Sequence, residues 1–267
     1  MIDIHAPHET VHTWRDFFIH IATIVVGLII AIGLEQTVEA IHHQHQRDEL
    51  TGQMREEAQQ NLPVIRESIS RLQLQRAYIQ SLESALLSGK VAGTDVSVAA
   101  VAPQGGSGIF ISPSRGTWAT AQAAGLVALL PQDQAKLYAR LDFEAEEDIR
   151  EEDAMYDKLQ SFLAECRRAG YDHTATGVSH LSVAHRNDLL FQLDQIRSAI
   201  ENLILRLSVV EGGDEAIVAG VRSLNGMYPY QDSALSRVRF NSTLGSFYGA
   251  QTGTPYKELS TRSTNSQ

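Results

Sequence analysis

The sequence contains a single cysteine, so Cys166 cannot form a disulfide within the chain. It lies in the segment FLAECRRAG, whose pattern is that of a helix, and we predict a buried structural thiol. Basic residues are also few, because 22 Lys and Arg stand against 32 Asp and Glu and give a formal net charge of −10. Phosphate backbones are bound by clustered Lys and Arg, so this balance argues against nucleic acid as a partner.

The common local motifs of catalysis are missing as well. The stretch GGSG at 105–108 lacks the GxxxxGK spacing, followed by Ser or Thr, that a phosphate-binding loop needs. Neither Ser112 nor Ser114 occurs in the GxSxG pattern of a serine hydrolase, and HExxH is absent. We therefore predict no cofactor and favour a non-enzymatic role.

Aromatic residues make up only 7% of the chain, whereas apolar residues make up 43%, a balance that favours helices built from Leu, Ile and Ala. One apolar run has no formal charge over eighteen residues, from Phe17 to Leu34. As a helix it would extend roughly 27 Å, which is close to the thickness of a bilayer core. We predict a short N-terminal tail at 1–16 and a single transmembrane helix at 17–34.

A cleaved signal peptide is the alternative interpretation of this run. Signal peptides have a basic leader and a shorter apolar stretch of about 7 to 15 residues. Here Arg15 is outnumbered by Asp3, Glu9 and Asp16, although small residues before Ala40 would suit a peptidase. A retained anchor in the lipid bilayer fits the sequence better.

The predicted span has a small and polar face. At 100° per residue, Asp16, His20, Thr23, Gly27 and Ala31 fall within about 80° of one another. Small residues at Thr23, Gly27 and Ala31 would let a second membrane helix approach closely, in a homo-oligomer or with another protein. Small residues are also common in membrane helices generally, so both interpretations stay open.

Three residues at the start of the span suit a membrane interface. Trp14 has the amphipathic ring found at the headgroup level, and His20 is shallow enough to reach that level. Asp16 lies on the same face as His20 and could hydrogen-bond it. We predict an interfacial structural role for these residues.

The chain resembles a family of bacterial single-pass membrane proteins known as a domain of unknown function. The resemblance rests on Trp14-Arg15-Asp16-Phe17 with His20, on Gly27-Leu28 and Ala31, on Glu35 with His42-His43, and more weakly on Thr117, Trp118, Gly125, Leu126 and Tyr138. It is strong over about 12–62 and absent from the C-terminal part. It implies a bacterial inner membrane location and a similar shape, and no activity.

Orientation is weakly specified, because Arg15 precedes the span and Arg47 is the nearest basic residue after it. An N-terminal anchor most simply exports the rest of the chain, and we expect a periplasmic body. We predict a mainly α fold in which the span continues as a stalk into an antiparallel helical bundle, together at 35–223. A Gly/Pro/Ser-rich loop at about 88–117 would interrupt the bundle, with room for a short hairpin.

Helix boundaries are predicted from Pro and Gly. Pro63 predicts a break or kink near Asn61, which could cap the next helix. Pro131 fits the first turn of a long helix ending near Gly170. Its predicted buried stripe comprises Leu137, Leu141, Ala145, Ile149, Tyr156, Leu159 and Leu163. The acidic face is expected to be solvated: Glu144, Glu147, Asp148, Glu151 and Glu152.

The last predicted helix has the most regular spacing. Its apolar residues alternate at intervals of four and three over three heptads: Leu189, Leu193, Ile196, Ile200, Leu203, Leu207 and Val210. This spacing is typical of a helical bundle or coiled coil. Gly212-Gly213 should end this helix, and we predict an irregular or disordered tail at 224–267.

One group of side chains has metal-ligand spacing. His42, His45 and Glu49 lie at i, i+3 and i+7, on one helix face, and a fourth ligand could complete a zinc site. Two functions are therefore considered. The first is a non-enzymatic, membrane-anchored module or scaffold of the cell envelope that binds a protein or ligand, and the alternative is a membrane-tethered metal-dependent enzyme using these three residues.

Overall fold

The computed structural model describes residues 14–88, 113–171 and 175–238, without the side chains of 175–177. Within these ranges the chain is mainly helical and has no strand, which confirms the prediction of a mainly α fold. The helices are α1 (Trp14–Ser88), α2 (Gly116–Ala123), α3 (Gln132–Ala169), α4 (Ala175–His180), α5 (Val183–Val218) and α6 (Leu224–Arg237), with a 3-10 turn at Leu126–Leu129. The predicted hairpin lies outside the described residues.

The chain divides into two compact units, and the boundary falls inside α1, between Glu49 and Leu50. In the first unit α1 is long and apolar enough to cross a membrane. None of its apolar window is buried, whereas the core helix of a soluble domain would be mostly buried. Two hydroxyls on this segment are satisfied within the helix, because Thr23 donates to the Ile19 carbonyl at 2.9 Å and Thr37 to that of Gly33 at 2.7 Å.

The predicted break at Pro63 is wrong, since α1 continues without interruption from Trp14 to Ser88. Proline in a helix interior removes one hydrogen bond and costs about 3 kcal/mol. Burial of Ala58, Ile65 and Ile69 on either side offsets this cost by holding both turns in the core. Asn61 is not a helix cap, because its side chain is buried and bonds to Ser114.

In the second unit α5 contacts three other helices. It packs against α3 and α6, and ion pairs join it to α1. Along α1, Arg66, Arg76 and Glu83 pair with Glu211, Glu201 and Arg197 respectively, so the two helices run in opposite directions. Helices α3 and α5 also run in opposite directions, because Arg168 lies near Asp188 and Glu147 pairs with Arg206.

Apolar residues of this unit form two separate clusters. The larger contains residues 65–86 of α1, 155–166 of α3 and 189–210 of α5. The smaller contains residues 50–58 of α1, Trp118, 137–141 of α3, residues 216–217 of α5 and Met227 of α6. All seven predicted heptad residues of α5 are buried in the larger cluster, as expected.

Gly212 and Gly213 do not end α5, which continues to Val218. A Cβ on Gly212 would lie 2.5 Å from the Cα of Gln231 and 2.7 Å from the Tyr230 carbonyl oxygen, both in α6. A Cβ on Gly213 would overlap a methyl group of Leu141 in α3. The glycines are needed for close helix packing, and this packing stabilises a helix that their propensity alone would end.

The prediction of an irregular C-terminal tail is wrong over Leu224–Arg237, which forms α6. The Ser223 side chain caps this helix by accepting a hydrogen bond from the Gly226 backbone at 3.3 Å. Met227, Gln231 and Ala234 are buried on its inner face. Contact with α5 therefore offsets the weak helix propensity of a stretch that contains Gly226 and Pro229.

Replacing Gly212 by Ala should destabilise the second unit, because the new methyl group would push the backbone of α6 away. We expect the free energy of unfolding to fall by about 1–3 kcal/mol, the usual cost of overpacking. The measurement is thermal unfolding of the full chain in detergent, followed by circular dichroism.

Gly52→Ala is the matched control, since Gly52 is also helical and an added Cβ there meets nothing within 4 Å. It should raise the free energy of unfolding by about 0.5–1 kcal/mol through helix propensity. Equal effects of the two substitutions would show that close packing at Gly212 is unimportant.

Candidate functional site

The residues predicted at the membrane all lie on the exposed first part of α1. Trp14 makes an edge-to-face contact with Phe17, with ring centroids 5.9 Å apart. His20, Thr23, Gly27 and Ala31 are exposed, and a Cβ on Gly27 would meet nothing within 4 Å. This face therefore makes no contact inside the described chain at Gly27.

His42, His45 and Glu49 lie farther along the same helix. Within the described ranges, no group of three or more His, Cys, Asp or Glu side chains is arranged to hold a metal ion. His42 instead lies beside His43, with ring centroids 6.4 Å apart, and His43 lies 4.0 Å from Glu39. The three side chains are thus not brought together as a metal group.

A different set of polar residues lies buried or half-buried in the second unit. We call Glu57, Asn61, Arg115, Asp148 and Asp214 the polar centre; they come from α1, the segment before α2, α3 and α5. Along α1, α3 and α5, Asn61, Asp148 and Asp214 respectively lie between residues of the smaller apolar cluster and residues of the larger one. The polar centre is therefore a layer between two hydrophobic cores.

Side chains of α1 hold the segment that carries Arg115. Asn61 exchanges two hydrogen bonds with the Ser114 backbone, accepting from its N–H at 2.8 Å and donating to its carbonyl at 2.9 Å. Glu57 accepts from the Ser114 hydroxyl at 2.9 Å and from the Thr117 N–H at 3.2 Å. These bonds fix the backbone on both sides of Arg115 and direct its side chain inward.

Arg115 forms a buried ion pair with Asp214. Its Nη1 donates to Asp214 Oδ1 at 2.8 Å, and the side chains are 10% and 0% exposed. Burial raises the pKa of Asp214, and the Arg115 charge opposes this shift. Arg115 Nε and Nη2 and Asp214 Oδ2 are buried without a hydrogen-bond partner in the described structure. The Arg115 guanidinium thus has an unused pair of donors.

Asp148 is the member of the polar centre with the fewest partners to offset the cost of burying its carboxyl group. It is 3% exposed, and neither carboxylate oxygen has a hydrogen-bond partner among the described residues. Burial raises the pKa of Asp148 to about 7; Arg206 and Arg115 lower it, whereas Glu144 and Glu151 raise it. Asp148 can therefore gain or lose a proton near neutral pH.

The neighbouring charges already have partners. Arg206 of α5 donates to Glu147 Oε2 at 3.0 Å, and its Nε lies 3.8 Å from Glu151 Oε1. Glu144 accepts from Arg140 at 2.7 Å and from Gln231 of α6 at 3.1 Å. The bonds of Arg206 join α3 to α5 and that of Gln231 joins α3 to α6, whereas Asp148 has no bonded cation among the described residues.

The assignment of the whole acidic face of α3 to solvent is wrong for two residues, because Glu144 and Asp148 are buried. The predicted apolar stripe is confirmed at Leu137, Leu141, Ala145 and Leu159 but wrong at Ile149 and Tyr156, which are 46% and 44% exposed. One stripe of buried positions comprises Leu137, Leu141, Glu144, Asp148, Met155, Leu159, Phe162 and Cys166, beside which Gln134, Tyr138, Ala145 and Glu165 are also buried. The residues of this stripe are three, four or seven positions apart, which is a helical spacing. The sequence therefore contained this pattern, but the charges of Glu144 and Asp148 led to their assignment to solvent.

Cys166 lies in the larger apolar cluster, which confirms the prediction of a buried thiol. Burial raises its pKa to about 12. The thiol therefore stays protonated near neutral pH and is a poor nucleophile. Proton binding at Asp148 is the chemistry that the geometry of the polar centre supports.

Comparison of the chain with protein-family models, curated proteins and solved structures finds no match.

Arg115→Met should strongly destabilise the second unit, since it leaves Asp214 buried without its cation. Loss of one partner of a buried pair costs about 3–5 kcal/mol. We expect Arg115→Met combined with Asp214→Asn to cost less than the sum of the two single substitutions. Urea unfolding of all four proteins, followed by the fluorescence of buried Trp118, measures the coupling; additive effects would contradict it.

Proposed function

We propose that this protein is a single-pass protein of the bacterial inner membrane whose body is an antiparallel helical bundle on the periplasmic side. Its role would be that of a non-enzymatic module or scaffold of the cell envelope that binds a protein or ligand. The observation that carries the proposal is the exposed apolar segment of α1, which continues in the same helix into a packed unit.

The exposure of this segment supports an anchor. Large apolar side chains from Phe17 to Leu34 are 45% to 67% exposed. Exposed apolar surface of this extent is unfavourable in water and favourable in hydrocarbon. Thr23 and Thr37 bond to carbonyls of their own helix, which suits a medium without water.

The face of Thr23, Gly27 and Ala31 supports a binding role within the membrane. Helix association in lipid depends on close packing, and small residues permit it. Because Gly27 meets no other part of the described chain, its lack of a side chain is not explained by internal packing. We propose that this face pairs with a second copy or another membrane helix.

The alternative, a metal-dependent enzyme using His42, His45 and Glu49, has no specific observation in its favour. We therefore retain the binding function alone.

A measurement of membrane topology tests the anchor and its orientation. C-terminal fusions to an exported phosphatase and to a fluorescent protein that matures only in the cytoplasm should give activity with the first and no fluorescence with the second. Alkaline extraction of membranes should leave the full-length chain in the pellet. Recovery of a shortened chain in the soluble fraction would mean a cleaved signal, and a fluorescent fusion would place the body in the cytoplasm.

Gly27→Leu should disrupt a complex formed through the small-residue face, because a large side chain keeps two helices apart. We expect at least a several-fold loss of the chemically crosslinked species in native membranes. Gly33→Leu is the control, since it is equally free of contacts and about 120° away around the helix. Unchanged crosslinking by Gly27→Leu, or an equal loss with Gly33→Leu, would refute this face.

A further inference from the structure

We propose that Asp148 is a proton-binding site through which pH near neutrality controls the packing of α3 against α5. The proposal rests on the burial of its carboxyl group, on both oxygens lacking a hydrogen-bond partner in the described structure, and on the prior commitment of the neighbouring cations. It does not depend on the proposed membrane function, because every group involved lies in the second unit.

The position of Asp148 explains why it should take up a proton. It occupies a core position of α3, between Leu141 of the smaller cluster and Met155 of the larger one. An ionised carboxylate there loses its hydration and gains no hydrogen bond, which is costly. The neutral acid has no such cost, so the folded state favours the protonated form.

The charged groups acting on Asp148 come from three elements. On α3 they are Glu144 and Glu151, on α5 Arg206, and before α2 Arg115. Both cations are engaged elsewhere, Arg206 with Glu147 and Arg115 with Asp214. Ionised Asp148 must therefore share Arg206, share Arg115 through donors that Asp214 leaves free, or admit water between the helices.

Competition for Arg206 is the step that links the proton to helix packing. Arg206 joins α5 to α3 through Glu147 and Glu151, which lie on the same side of α3 as Asp148. If ionised Asp148 draws Arg206 inward, these pairs weaken. We expect tight packing of α3 and α5 when Asp148 is neutral and looser packing when it is ionised.

The sign of the pH dependence is set by linkage. Between its unfolded pKa of 3.8 and its folded pKa of about 7, the folded state holds a proton that the unfolded state has lost. Stability from Asp148 therefore falls as pH rises through this interval and stays low above it. Each pH unit in the interval changes the folding equilibrium tenfold, so the limit is about a thousandfold.

Asp148→Asn tests the inference, because an amide of the same shape cannot ionise. In the full chain in detergent, urea unfolding followed by Trp118 fluorescence should show wild type losing stability relative to the variant from about pH 4 to pH 7. Above pH 7 the variant should be more stable, approaching the thousandfold limit in its folding equilibrium. Asp153→Asn, an exposed acid on the same helix, should retain the wild-type pH dependence.

Infrared difference spectra give a second readout, and its midpoint in wild type can be measured without any variant. The carbonyl band of a neutral carboxylic acid should be present at pH 6, disappear with a midpoint near pH 7, and be absent from Asp148→Asn. No such band at pH 6 in wild type, or a band that persists in Asp148→Asn, would overturn the proposal.

Arg206 provides a directional test. Because its charge lowers the pKa of Asp148, Arg206→Gln should move the infrared midpoint to higher pH, whereas Arg206→Lys should leave it near the wild-type value. Hydrogen exchange of α3 and α5 amides, corrected for intrinsic rates, should increase above pH 7 in wild type and not in Asp148→Asn. An unmoved midpoint in Arg206→Gln, or equal exchange in wild type and Asp148→Asn, would contradict the coupling.

Discussion

The second unit depends on the packing of α5 against α1, α3 and α6. Its heptad residues from Leu189 to Val210 fill the larger apolar cluster, and burial of one Leu or Ile contributes about 1.5–3 kcal/mol. Beyond this seam, Gly212 and Gly213 bring α5 into close contact with α6 and α3. One helix thus provides both the apolar core and the closest backbone approach.

Charges around α5 are arranged so that pairs cross from one helix to the next. Arg76 with Glu201 and Arg115 with Asp214 are the most buried of the cross-helix ion pairs described here. Such pairs contribute little net stability compared with apolar residues, but they penalise any displacement that would separate them. They fix the register of helices that the apolar stripes alone would hold less precisely.

The polar centre has a consequence for how the unit responds to its surroundings. It divides two apolar clusters and contains one carboxyl group, Asp148, whose folded state favours protonation. A hydrophobic residue at that position would pack without such a cost. The stability of the second unit therefore depends on pH through Asp148. With an apolar residue at this position, that dependence would be absent.

Sequence patterns predicted those features that depend on residues close together in the chain. The apolar run from Phe17 to Leu34, the start of α3 after Pro131 and the heptads of α5 are all set by local periodicity and backbone chemistry. The mainly α fold class and the burial of Cys166 were also predicted from the sequence. The helical spacing of Leu137, Leu141 and Met155 places Glu144 and Asp148 on the same buried face. The charge of these two residues nevertheless led to the prediction that they are exposed.

Tertiary packing produced helices at positions where local sequence preferences oppose them. Pro63 and Gly212-Gly213 remain inside helices and Leu224–Arg237 is helical, because burial against partner helices exceeds an intrinsic cost of about 1–3 kcal/mol at each site. The polar centre joins residues as far apart as Asn61, Arg115 and Asp214, and no local pattern relates them. The sequence by itself determined the long apolar segment and the helical stripes, since each is a pattern within one stretch of chain, whereas the site arose from distant residues sharing one buried layer.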